Sequence, residues 1–249
     1  MPTVTYGQGS GSFSDAMVLA GLNDPSYEDG EWFRVASRAD GADLRTIMLW
    51  DLAAAGVPKN AYIVSAKLTL TAWYNDFVTK SNLTMRVYRI ADTNVAEDAT
   101  WTEASDGTAW ETTIGESVGA GLSNSAGGSL DTSIVLPGGN AYHTEIHASG
   151  SGDRTISGAD FTALAQDAQN NRGQKLNIML MPDTLTYAST TSGAGSQSED
   201  IGYRSQDYGT AGDRPELEIV YSPRRSAAFV SRTFGIGRRR RRRRSGRKH

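Results

Sequence analysis

Residues 143–147 read His143-Thr-Glu145-Ile-His147, and on a β-strand the three ligand-type side chains share one face. Imidazole with carboxylate is a donor set suited to a transition metal. The order differs from the helical zinc motif, in which glutamate directly follows the first histidine. A solvated strand or loop face beside the Ser-Gly-Ser-Gly stretch is the competing reading. Asp24, Glu28, Asp29 and Glu31 crowd one short segment and offer the hard oxygen ligands that Ca²⁺ takes, without the regular spacing of a calcium loop. An acidic solvated turn has the same composition. Trp73, Tyr74, Tyr203 and Tyr208 are candidates for stacking on a sugar ring, although an isolated surface aromatic needs no ligand. Nucleophilic chemistry has little to work with. There are 3 histidines and no cysteine, and no Gly-rich strand-to-helix phosphate loop is present. Carboxylates are too abundant for any pair to signal glycosidase chemistry. The expectation is a protein that is not an enzyme and has no cofactor, Ca²⁺ being the one ion its acidic residues offer to hold.

The strongest chemical feature is electrostatic. Arg238, Arg239, Arg240, Arg241, Arg242, Arg243 and Arg244 are consecutive, and Arg247 and Lys248 follow. From Arg224 onward there are 12 basic residues and no acidic one, so residues 1–223 hold 13 basic residues against 28 acidic ones, a net of −15. A run of like charges repels itself, stays extended and serves as an interaction arm. Such an arm binds a polyanion, whether nucleic acid, an acidic protein groove or a membrane surface. Arginine also forks onto carboxylates, so the acidic body of a neighbouring copy is a legitimate partner. Fully extended, the arm reaches at most about 85–95 Å. Phe229, Val230, Phe234 and Ile236 precede the arginines and are candidate apolar anchors, able to add a strand to a partner's sheet edge.

The elements that must carry these groups are mostly strands. Gly, Ser and Thr are plentiful, and short β-branched or aromatic runs lie between turns. Strands are predicted over 45–51, 63–74, 83–89, 176–181 and 215–221. Ala66, Leu68, Leu70 and Ala72 alternate with Lys67, Thr69, Thr71 and Trp73, the signature of a half-buried strand. Residues 177–181 form a nearly continuous apolar run, which predicts a central strand. One helix is predicted over about 157–172. Ser157-Gly-Ala-Asp160 reads as its capping box, Phe161, Leu164, Ala165 and Ala168 as its apolar stripe, and Gly173 as its stop. Stretches 115–129 and 189–198, rich in Gly, Ser and Ala, read as long surface loops. The expected organisation is a body over 1–222 and a basic arm over 223–249. The first residues have neither the basic nor the apolar region of a signal peptide, and no apolar run is long enough to span a bilayer. A soluble protein made without export is expected.

The order of landmarks is similar to that of the DNRLRE-domain family. Arg45-Thr-Ile-Met-Leu-Trp-Asp51-Leu, Val57-Pro58 and Ile63-Val-Ser65-Ala66-Lys67-Leu68-Thr-Leu70 resemble its core signature. Ala99-Thr100-Trp101-Thr102-Glu103 with Thr108-Ala109-Trp110 resembles its Thr-Trp segment, and Arg214-Pro215-Glu216-Leu217 to Tyr221 its closing strand. The resemblance spans residues 13–222. It implies a jelly-roll β-sandwich related to carbohydrate-binding modules, of the kind found in secreted, wall and bacteriophage virion proteins. Trp50 and Trp101 are then core aromatics, and Asp51 caps a turn. Fold alone does not fix function. The arm departs from the secreted members and points to a structural component of a phage particle, located in the virion and made in the host cytoplasm. Its expected role is capsid decoration or cement, or tail association, with other virion proteins, further copies of itself or nucleic acid as partners. The alternative is a carbohydrate-binding adhesion module for host or surface glycans. A nucleic-acid-binding protein proper is the third reading.

Overall fold

The structure is a computed structural model. It describes residues 1–6, 13–19, 30–37, 44–77, 82–90, 95–99, 103–105, 108–109, 130, 133–183 and 199–223. The basic arm, the two Gly/Ser-rich stretches, Trp101, Asp24, Glu28 and Asp29 lie outside the described residues.

Strands dominate what is described. They are β1 (Thr3–Tyr6), β2 (Phe13–Leu19), β3 (Trp32–Ser37), β4 (Leu44–Asp51), β5 (Tyr62–Phe77), β6 (Asn82–Arg89), β7 (Glu103–Ser105), β8 (Thr108–Ala109), β9 (Tyr142–Ala148) and β10 (Gly152–Ser157), followed by helix α1 (Ala159–Asn171) and then β11 (Lys175–Pro182), β12 (Glu199–Arg204) and β13 (Glu216–Ser222). Among the described residues the chain is all-β with one α-helix, as expected. Among the described residues, eleven strands form one antiparallel sheet, in the order β1-β13-β5-β12-β3-β4-β11-β6-β9, with β10 on β5 and β2 on β4. β7 and β8 pair separately.

β5 is 16 residues long and is shared between neighbours. β13 pairs with Tyr62 to Thr69, β10 with Lys67 to Ala72, and β12 with Ala72 to Phe77. Two slips interrupt these ladders. Val220 faces Ser65 while Tyr221 faces Ile63, and Gly202 faces Tyr74 while Tyr203 faces Ala72. The skipped residues, Val64 and Trp73, are both exposed apolar side chains, as bulge residues turned away from the ladder can be.

The alternation read along this strand holds. Ala66, Leu68, Leu70 and Ala72 are buried, and so are Leu217, Ile219 and Tyr221 on β13. They join Trp50 of β4, Val87 of β6 and Ile178 of β11 in one cluster. Among the described residues β3 meets β4 through the pair Ala36–Leu44. Residues of strands on either side of that joint belong to the same buried cluster. β11 lies between β4 and β6, and its opposite face, through Met179 and Met181, packs in a second cluster with Ile47, Tyr88 and Ile90. Burial on both faces explains the unbroken apolar run at 177–181.

α1 buries the predicted stripe, Phe161, Leu164, Ala165 and Ala168. Its start differs from the expectation. Gly158 is the N-cap, with φ of 105°, and no side chain caps the helix. Ser157 is the last residue of β10, paired with Lys67, so the sheet has taken it. Asp160 accepts from the Gly138 amide at 2.7 Å instead. The stop is as read. Gly173 has φ of 61°, and the Gln174 amide donates to Ala168 O at 3.1 Å. The helix also completes β5. Gln166 Oε1 accepts from Ile63 N at 2.8 Å and Thr162 Oγ1 from Ala66 N at 3.2 Å. These amides lie before Lys67, where the β10 ladder ends. Asp51 caps its turn as expected, accepting from the amides of Ala53 and Ala54, both at 3.0 Å.

Trp50 is the largest fully buried side chain and stacks on Phe13 with centroids 4.8 Å apart. Its Nε1 has no hydrogen-bond partner among the described residues. Trp50→Ala is expected to cost about 3–5 kcal/mol, from lost burial plus a cavity. Trp50→Phe should cost much less, since no hydrogen bond is lost with the indole. Urea unfolding of both variants measures the difference.

Candidate ligand-binding surface

The bulge at Trp73 builds the most chemically distinctive patch on the described surface. Trp73 keeps 38% of its area exposed. On the neighbouring strands, Trp32 and Arg204 are register partners, so β3 and β12 bring them side by side. The rings of Trp32 and Trp73 lie 6.1 Å apart, tilted by 54°. The Arg204 guanidinium carbon sits 5.0 Å from the Trp73 ring centroid and 3.9 Å from that of Tyr208. Tyr208 follows β12 in a turn held by Arg214, whose Nε donates to the Tyr208 carbonyl at 2.7 Å. Two tryptophans, a tyrosine and a guanidinium thus form one half-exposed group. Such rings can stack on the apolar face of a flat ligand, and the guanidinium can donate at its edge.

The expected glycan set is corrected in part. Tyr203 is fully buried and cannot serve a ligand. The slip beside it pairs Tyr203 with core-facing Ala72, and its ring lies 5.4 Å from that of Phe33. Trp73 and Tyr208 are brought together through Arg204. Tyr74 pairs with Gly202, and its side chain is outside the described residues. Trp32 and Arg204 were missed. The alternation Trp32, Arg34 out and Phe33, Val35 in was available as a signal, as was Arg204 out against Ile201, Tyr203 in.

The histidine face is also corrected. β9 does place His143, Glu145 and His147 on one side, but they do not converge. Two-residue steps put the Cα atoms of His143 and His147 about 13 Å apart. Each ring is then taken by a different neighbour. His143 packs near Phe161, centroids 6.2 Å apart, and its Nε2 lies 3.2 Å from Glu145 Oε2. His147 is buried, with Nδ1 2.6 Å from the Tyr203 hydroxyl. Burial pushes the His147 imidazole down to about 4 and the Tyr203 hydroxyl well above the usual phenol range, so both are neutral at neutral pH. Among the described residues no group of three or more His, Cys, Asp or Glu is arranged to hold a metal ion. Of the acidic segment, Glu31 is described. It is exposed, and its backbone carbonyl accepts from Ser205 N at 3.2 Å.

A second buried ionisable group was not legible. Asp15 on β2 is 3% exposed, and its Oδ1 accepts from the Gln206 amide at 3.3 Å. Burial pushes its carboxyl up to about 8, and Asp207 and Glu97 push it the same way. Nothing local marks it, because the three carboxylates come from segments far apart in the chain.

Arg238 to Arg244, Arg247, Lys248 and the four apolar anchors lie outside the described residues, so no geometry attaches to them. No helix among the described residues is long and apolar enough to cross a membrane. Neither the models of known protein families nor the curated proteins contain a match to this chain.

The two shifted groups make opposite pH predictions. His147 stays neutral in the fold where the unfolded chain protonates it, so its contribution is lost as pH falls from 6.5 toward 4. Asp15 stays protonated in the fold where the unfolded chain ionises it, so stability falls as pH rises from 3.8 toward 8. Above the His147 window, the Asp15 slope remains. Urea unfolding between pH 6.5 and 8.5 is expected to show declining stability in the wild type and a flatter profile in Asp15→Asn.

Proposed function

We propose that this chain is a non-enzymatic structural protein of a bacteriophage particle, a decoration, cement or tail-associated component fixed in place by its basic arm. The observation that carries this reading is the charge division, −15 over residues 1–223 against 12 basic and no acidic residues after them. A body of that charge and an arm of the opposite sign attract in trans, while bodies repel one another, which favours head-to-tail strapping between copies or onto another anionic component. The all-β body suits such a role, being built on a shared core around the Ala36–Leu44 joint. Two strand groups facing one core support a jelly-roll sandwich of the DNRLRE kind, with Trp50 and Asp51 in the roles that resemblance implies. The partner of the arm is another virion protein, a second copy or packaged nucleic acid.

Removing residues 224–249 is expected to abolish incorporation into particles while the body keeps its far-ultraviolet circular dichroism and unfolding midpoint. Particles that incorporate the truncated protein at wild-type copy number would sink the assignment. Binding of the arm peptide to duplex DNA that falls with salt at a log–log slope near −0.9 per phosphate would single out nucleic acid as the arm's partner.

A second reading has its own observation. The Trp32, Trp73, Arg204 and Tyr208 group supports adhesion to host or cell-surface glycans by the body. The two readings are compatible, since the arm can anchor what the body presents.

A further inference from the structure

We propose that the Trp73 surface selects an acidic saccharide, a sugar ring lying against the aromatic group with its carboxylate or phosphate taken by Arg204. This deepens, and rests on, the glycan reading of the same surface.

The case begins with how this protein treats six of its other described arginines. Arg34 pairs with Asp200, Arg86 with Asp183 and Arg89 with Asp167. Arg154 donates to five backbone carbonyls of the β9–β10 turn, those of Ala148, Ser149, Gly150, Gly152 and Asp153. Arg172 donates to Ile90 O, and Arg214 to Tyr208 O. Arg204 is different. Among the described residues its contacts are the Trp73 and Tyr208 rings, and its fork of N–H donors has no acceptor. Ring contacts engage the π-face and position the guanidinium, but they accept no conventional hydrogen bond from its edge.

Three of these arginines meet a carboxylate and three meet backbone carbonyls, whereas the Arg204 N–H groups meet neither among the described residues. A guanidinium in that state favours a planar two-oxygen anion, which it can take bidentately. A neutral sugar would use the rings and leave the charge unanswered. The acidic body argues against a long polyanion at this place. Each further phosphate would add charge of the same sign as the body's net charge. A single anionic group on a small ring avoids that repulsion.

The surface is also built from separate parts, as a binding group must be. Trp73 is turned out by a bulge in β5, Trp32 and Arg204 are cross-strand partners, and Tyr208 is held by Arg214. None of the four is needed in the main core cluster, where Trp32 is only partly buried against its edge.

The test uses the full chain and short probes, titrated by tryptophan fluorescence and by saturation-transfer NMR at 0.3 M salt. Methyl galacturonide represents the carboxylate source, galactose 6-phosphate the phosphate source, and methyl galactoside and galactose their neutral counterparts. One acidic probe is expected to bind at least about tenfold tighter than its neutral counterpart, consistent with one charge-assisted bidentate contact. Arg204→Gln should remove that preference, Arg204→Lys should restore only part of it, and Trp73→Ala should remove binding of both probes. All variants keep the arm. Acidic binding that survives both Arg204→Gln and Trp73→Ala would assign it to the arm and overturn the proposal. Equal binding of acidic and neutral probes, unchanged in Arg204→Gln, would overturn the acidic preference and leave the glycan reading standing. No response to any probe would overturn both.

Discussion

Everything described in this fold depends on satisfying the backbone of one long strand. β5 runs for 16 residues, and no single neighbour pairs with all of it. A buried amide or carbonyl left unpaired costs about 1–3 kcal/mol, so each stretch needs its own partner. β13 supplies one for the first half, β10 for the middle, β12 for the end, and helix side chains for the amides of Ile63 and Ala66. The ladders carry two register slips, one inside the β13 ladder at Val64 and one inside the β12 ladder at Trp73. The exposed tryptophan thus sits on the same strand whose other face, through Leu68 and Leu70, lines the core.

Local periodicity explains which parts of the chain were readable in sequence. Leu68 and Leu70 point inward because alternation is local, and a ladder only has to preserve it. The continuous run at 177–181 was readable because a strand covered on both faces has no polar side to keep. Phe161, Leu164, Ala165 and Ala168 follow from helical period alone. Ser157 was misread because capping and pairing compete for the same residue, and β10 decides the contest from a distance. Tyr203 is a different case, because the alternation of β12 itself puts Ile201 and Tyr203 inward and Arg204 outward.

The histidine face shows the limit of periodicity more sharply. Period 2 correctly puts His143, Glu145 and His147 on one side of β9. A metal needs convergence within about 2 Å of one point, whereas a strand spaces alternate residues by about 6.6 Å. Convergence in a sheet needs ligand-type residues on the neighbouring strand, and the β6 residues opposite His143 and His147 are Val87 and Leu83. The same logic made Asp15, Glu97 and Asp207 invisible, since their approach is made by tertiary contact alone.

Charge is distributed on two scales that have different jobs. On the scale of the whole chain, the acidic body and basic arm set long-range attraction and repulsion, which orient partners without specifying contacts. On the scale of single residues, the body neutralises most of its described arginines with aspartates or carbonyls. Screening over about 8–10 Å separates the two scales. Arg204 is then governed by its immediate surroundings, two aromatic rings and no acceptor among the described residues. Recognition at that point is a matter of geometry, whereas recognition by the arm is a matter of charge density. Under the proposed function, body and arm obey different rules, and each would recognise a partner of its own.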